Sequence, residues 1–275
     1  MAKAPTTIPY DVTRRGFIRA LGLAGAGAAV GGLGVTGASA NPEHADHAEM
    51  VDAAASGGSD GAEHQWAFVV DMRRCDGCEK CTKACQSAHY LAKDQKWINV
   101  YKITNPTGQS HFMPRLCMHC QNPPCLRVCP VGATFKNDEG VVLVNQNTCI
   151  GCRTCMAACP YEARYFNWEE PPPAPPNLKG QPMPEYPVPA KKGTVGKCIL
   201  CVHNTEVGKL PACVEACTMG ALWIGDLKAD VATNGSATVK LSKFLRDNDA
   251  VRFREELGTR PRVWYIPGHG QKLDF

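Results

Sequence analysis

The chain has 275 residues, 44% hydrophobic and 20% charged, enough for one large folded domain or two small ones. Its formal net charge is +4, of which the first forty residues carry +3, so the remainder lacks the basic excess of a nucleic-acid-binding protein. After residue 40 no run of 18 apolar residues offers a membrane span, and the outlying feature is cysteine, with 16 residues.

In chain order, Arg14 and Arg15 precede a Phe-Ile step and an uncharged run from Ala20 to Ala40 that holds seven glycines. Paired arginines before such a run resemble a twin-arginine export signal. Ala38-Ser39-Ala40 fits an A-x-A cleavage site, so residues 1–40 are expected to be a signal peptide and the mature chain to start at Asn41. Retention as an anchor helix is the competing reading, weakened by the glycines. Residues 41–64, rich in Ala, Gly, Asp and Glu and carrying His44, His47 and His64, read as a flexible linker. Trp66–Asp71, Val141–Val144 and Ala221–Ile224 read as short buried strands.

Every cysteine falls into one of four quartets: Cys75, Cys78, Cys81, Cys85; Cys117, Cys120, Cys125, Cys129; Cys149, Cys152, Cys155, Cys159; and Cys198, Cys201, Cys213, Cys217. The first and third share the spacing C-x2-C-x2-C-x3-C, an internal repeat. A disulfide scaffold suits an even count in an exported chain. Thiols two and three residues apart, however, crowd on tight loops and do not staple distant elements. Structural zinc would accept the fourth quartet as two knuckles, but the first and third place three cysteines on one loop. Cys149 to Pro160 matches the bacterial [4Fe–4S] ferredoxin run, whose fourth cysteine serves the neighbouring cluster. Three cysteines wrap three corners of a cubane, and the x3 step is expected to put the fourth at a helix start. Pro130 and Pro160 follow fourth cysteines, whereas Gln86 and Thr218 stand there in quartets one and four. Oxidised cubanes carry about −2 each, so four would add roughly −8. Arg73, Arg74, Arg127, Arg153 and Lys197 are candidates to offset that charge, or are ordinary surface charges.

Four quartets in this order, with an x11 gap in the last, make residues 66–226 resemble the electron-transfer subunit of the complex iron–sulfur molybdoenzyme family. Dimethyl sulfoxide, polysulfide and tetrathionate reductases have such subunits, and similar proteins partner NrfD-type quinone-interacting membrane subunits. The resemblance implies an α+β fold of two interleaved bacterial-ferredoxin-like modules with small antiparallel sheets and long loops. The outer module would comprise 65–110 and 191–226, the inner one 111–170. It also implies four [4Fe–4S] clusters, the second quartet having Cys120 where some relatives have tryptophan and a [3Fe–4S] cluster. One cluster would take Cys75, Cys78, Cys81 and Cys217; a second Cys198, Cys201, Cys213 and Cys85; a third Cys117, Cys120, Cys125 and Cys159; the fourth Cys149, Cys152, Cys155 and Cys129.

Helices are expected after Cys85 and Cys159 and on both sides of Cys217. Residues 171–190 hold nine prolines and read as extended polyproline, either a docking arm or a stiff connector. Residues 227–275 form a cysteine-free extension, with a helix or two over Ser242–Phe253 and a closing strand at Arg262–Ile266. His119 and His203 are placed to tune a potential or are ordinary loop histidines. No C-x-x-C-H haem site, nucleophile motif or phosphate loop is visible, so the chain is expected not to be an enzyme by itself. The expected role is an exported, periplasm-facing relay of single electrons between an NrfD-type membrane subunit and either cytochrome c or a molybdopterin catalytic subunit. It would not bind nucleic acid and would meet the membrane through its partner. A zinc-stabilised interaction module is the alternative.

Overall fold

In the computed structural model, residues 62–104, 108–173 and 188–268 are described; the expected signal segment, His44 and His47, and most of the proline-rich stretch lie outside them. Trp66–Asp71 (β1) is the expected strand, and its alternation decides the architecture. Phe68 and Val70 enter one buried core, and Ala67 and Val69 enter another. Successive side chains of a strand point to opposite faces, so a strand buried on both faces reads as an unbroken apolar run. The Asp71 carboxylate closes β1 by accepting hydrogen bonds from the Arg73 amide and guanidinium.

Lys80–His89 (α1) follows the first cysteine loop. Asn99–Thr104 (β2) and Ser110–Arg115 (β3) form an antiparallel ribbon. The second quartet carries Pro124–Arg127 (α2), then Thr134–Lys136 (β4) paired with Val142–Val144 (β5). The third carries Thr154–Ala157 (α3) and Tyr165–Phe166 (β6), which pairs with Val195–Gly196 (β7). The fourth carries Val202–Thr205 (α4) and Ala212–Glu215 (α5). Leu222–Asp226 (β8), Val231–Thr233 (β9) and Thr238–Lys240 (β10) follow, then Leu241–Asp247 (α6), Val251–Arg252 (β11) and Val263–Ile266 (β12). The fold is α+β with small sheets, and the largest is six-stranded in the order β10-β9-β8-β1-β12-β11. No helix of the described residues is long and apolar enough to cross a membrane.

The C-terminal extension completes this sheet. β1 lies between β8, antiparallel with Val70 opposite Leu222, and β12, parallel with Phe68 opposite Val263. The closing strand is therefore where the sequence placed it, while its parallel pairing to β1 left no local trace. One face of the sheet supplies Phe68, Val70, Leu222, Ile224, Val263 and Tyr265 to the core shared with the cysteine loops. The other supplies Val69, Trp223, Trp264 and Ile266 to Leu241 and Leu245, one turn apart on α6.

Three expectations need correction. No helix follows Cys159; α3 precedes it, because the Cys159 amide already caps Met156 O and Pro160 has no N–H to continue a helix. None follows Cys217 either, which stands after α5 with its amide on Val214 O. Cys85 is inside α1, not before a helix: with Gln86 in place of proline, the helix runs on to His89. Over Ser242–Phe253 there is one helix followed by the short β11. The described end of the expected linker is packed, since Ala62 is buried and His64 Nδ1 lies 2.8 Å from Asp226 Oδ2.

Ile266 is fully buried in the second core, so Ile266→Ala is expected to cost roughly 2–5 kcal/mol in denaturant unfolding. The hydrogen bond to Asp226, more than the opposing burial, raises the His64 pKa above its ordinary value. The pair therefore stabilises the fold fully below about pH 6.5 and loses that contribution as pH rises through the raised pKa. His64 is 39% exposed, which limits the effect to below about 1 kcal/mol. The melting-temperature gap between wild type and His64→Ala should be present near about pH 5.5 and close near about pH 8.5.

Candidate metal centre

The four quartets are built on one repeated turn. The residue before the second cysteine has positive φ in every case: Gly77 at 79°, His119 at 41°, Gly151 at 70° and Leu200 at 54°. This left-handed step turns the loop back on itself, and in the third quartet Cys149 and Cys152 line one hollow. Glycine takes it without strain, and the Gly151 Cα leaves no room for a side chain, an added Cβ lying 2.3 Å from Gly193 O. A second repeated turn follows the fourth cysteines, with Gly132, Glu162 and Gly220 donating their amides to Cys129, Cys159 and Cys217 O.

All sixteen cysteines are free thiols. Cys217 acts electrostatically on both Cys75 and Cys81, and Cys78 on Cys75. Cys85 feels Cys198 and Cys201, and Cys213 feels Cys201, Cys85 and Cys198. Cys120 feels Cys117, Cys125 and Cys159. Cys129, Cys149, Cys152 and Cys155 line one hollow with Ile150 and Val195. Further electrostatic neighbours are Cys81 and Cys85, Cys117 and Cys198, and Cys125 and Cys155.

Burial pushes the pKa of Cys81 and Cys198 up to about 12 and of Cys201 to about 11, and holds Cys85 and Cys213 well above the ordinary range. Such thiols ionise only when a metal displaces their protons. Cys152 is the opposite case, its pKa lowered by the Thr154 hydroxyl and amide. Among the described residues no three His, Cys, Asp or Glu side chains converge as a single metal ion requires. Zinc would draw four sulfurs to about 2.3 Å from one point, whereas a cubane takes each thiolate on a separate iron.

The interior is also short of negative charge. Arg164, Lys197 and Arg262 are 4%, 1% and 3% exposed, and no carboxylate among the described residues pairs with them. The Arg164 side chain hydrogen-bonds the Cys125 and Cys155 thiols. His119, wholly buried, accepts the Val142 amide on Nδ1 at 3.2 Å, so its proton sits on Nε2, which has no partner. Burial, then Lys197, Arg262 and Arg164, keep that ring neutral. Buried cations and orphan donors lining thiol groups fit anionic iron–sulfur centres.

Of the basic residues the sequence singled out, only Lys197 is interior. Arg73 pairs with Asp71, and Arg153 lies over the Phe166 and Trp168 rings. Sequence reasoning missed two others. Arg164 stands five residues after Cys159, as Thr134 does after Cys129, and the two are joined by an Arg164 Nη1–Thr134 Oγ1 bond of 3.2 Å; the internal repeat was the available signal. His89, one turn beyond Cys85, is fully buried with Nε2 3.5 Å from Cys201 Sγ and its ring edge-on to His203. Burial lowers its pKa to about 4.

Gly151→Ala forces the third cysteine loop off Gly193 O. Iron retained per chain after anaerobic loading should fall by about a quarter, one cluster in four; unchanged iron would mean that the turn does not shape the site.

Sequence comparison meets this geometry. Residues 74–133, 109–172 and 141–218 each match a 4Fe-4S dicluster domain. A tetrathionate reductase subunit of Salmonella typhimurium is 34% identical over 268 residues, covering 95% of this chain and 90% of that one. A selenate reductase subunit of Mesobacillus selenatarsenatis is 37% identical, covering 74% of this chain and 72% of the relative. The iron-sulfur cluster-binding subunit of menaquinone reductase from Nitratidesulfovibrio vulgaris is 34% identical, covering 74% and 88%. Sixteen cysteines in four quartets fit four [4Fe–4S] clusters, and the chain belongs to the family of iron–sulfur electron-transfer subunits of reductase complexes.

Proposed function

We propose that this subunit is a four-station wire, exported by the twin-arginine route and facing the periplasm. It would relay single electrons between a quinone-interacting, NrfD-type membrane subunit and a second redox partner, cytochrome c or a molybdopterin catalytic subunit. Bound [4Fe–4S] clusters supply one-electron transfer. The proposed ligand sets are Cys75, Cys78, Cys81 and Cys217; Cys198, Cys201, Cys213 and Cys85; Cys117, Cys120, Cys125 and Cys159; and Cys149, Cys152, Cys155 and Cys129.

The observation that carries this reading is the graded exposure of those sets. Cys78 in the first and Cys152 in the fourth are exposed, whereas no cysteine of the second or third is. The thiol neighbours Cys81–Cys85, Cys198–Cys117 and Cys125–Cys155 link the sets in a single line. A line open only at its ends has two docking points. The chain's own part is to ligate, to exclude water from the middle and to present Cys78 and Cys152 outward. Quinone chemistry on the membrane side is supported by the menaquinone reductase relative.

Native protein purified anaerobically with its co-eluting partners should hold about sixteen irons per chain and give coupled signals in reduced-state EPR. Molybdenum in the particle would select the molybdopterin partner, and haem without molybdenum the cytochrome. Zinc in place of iron would reject the wire. Replacing both Arg14 and Arg15 by lysine should leave the iron-loaded chain in the cytoplasmic fraction; undiminished export would reject the twin-arginine route.

A further inference from the structure

Of the three buried cations among the described residues, two stand at junctions between the proposed ligand sets. Arg164 is acted on by Cys125, Cys155 and Cys117, thiols of the third and fourth sets. Its side chain hydrogen-bonds Cys125 and Cys155, and Nη1 donates to Thr134 Oγ1 at 3.2 Å, which fixes the guanidinium between the two sets. Lys197 bears on Cys198 of the second set and on His119, which stands between Cys117 and Cys120 of the third. Its ammonium donates to Cys198 O at 2.6 Å, which fixes the charge beside the ligand. Neither cation meets a carboxylate among the described residues. At the remaining junction, Cys81 and Cys85 sit one turn apart on α1, whose buried residues are Cys81, Thr82, Cys85 and His89.

We propose that Arg164 and Lys197 are positioning residues for electron transfer: fixed, unneutralised charges that raise the reduction potentials of the second, third and fourth stations above that of the first. The inference rests on the wire reading. Each added electron makes a station more negative, and a nearby buried cation stabilises that state with little solvent screening. The third station, with Arg164 against Cys125 and Cys117 and Lys197 against His119 in the same loop, is the one most raised. The wire is therefore uneven by construction, with the electron held most firmly at its third station.

The test uses the full-length, anaerobically loaded chain with Arg164→Gln and Lys197→Gln, each beside its charge-keeping partner, Arg164→Lys or Lys197→Arg. Iron content and EPR-monitored redox titration are the readouts. Each neutral variant should lower two of the four midpoints, by about tenfold in the one-electron equilibrium, ~59 mV. One lowered midpoint should be common to both variants, and one should move in neither. The charge-keeping variants should leave all four in place. Neutral variants that lose iron while the charge-keeping ones retain it support the same assignment. Unmoved midpoints at full iron, a uniform shift of all four, or loss of iron in both kinds of variant would overturn it. A wild-type chain that takes no iron removes the wire reading and this proposal with it, whereas iron-full variants with unmoved midpoints remove the proposal alone.

Discussion

A protein interior accepts a cation only when something negative comes with it. Here the guanidinium groups of Arg164 and Arg262 and the ammonium of Lys197 are buried without a carboxylate among the described residues, around a neutral His119 whose Nε2 proton finds no acceptor among them. The surrounding groups that can become anions are thiols, and burial holds the innermost of them protonated until a metal takes the proton's place. The loops, the short helices and the buried charges thus make physical sense together. As a bare polypeptide the core would be a stack of desolvation penalties; with anionic centres in place, the same residues become donors and counter-charges.

The sheet holds this arrangement from one side. β1 is buried on both faces because it stands between the cysteine core and the layer beneath α6. Its two neighbours come from after the last quartet, β8 directly and β12 at the end of the extension. The extension carries no cysteine, yet Thr259 approaches Tyr161 at 2.5 Å and the Arg260 and Thr259 carbonyls accept the amides of Gln121 and Asn122 within the second quartet. The extension braces the loop that follows Cys120.

Much of this was legible because the signals were local. Cysteine spacing is a constraint on a single loop, and the strands at Trp66–Asp71, Val142–Val144 and Val263–Ile266 announce themselves as apolar runs. The helix placement at Cys159 and Cys217 was misread because the x3 step suits a helix that ends just as well as one that begins; the amide of the fourth cysteine, bonded backward, settles the direction. His89 and Arg164 escaped because their meaning lies across the fold. His89 is one turn from Cys85 in sequence but faces Cys201, 112 positions on. Arg164 stands just before β6, and only the packing around it shows that no carboxylate among the described residues pairs with it.

The order of the quartets along the chain also governs when the protein can be finished. The second and third quartets, Cys117 to Cys159, are contiguous, whereas Cys75, Cys81 and Cys85 wait for neighbours between Cys198 and Cys217, and β1 waits for β12. During synthesis the N-terminal part of the chain makes its thiols early and must keep them reduced and unpaired until the last quarter emerges. The nested middle can close first, and the outer half clasps around it only once β12 has been made. Maturation is therefore paced by the C-terminus, and a chain truncated before residue 263 would leave β1 without its parallel partner however many of its cysteines it retained.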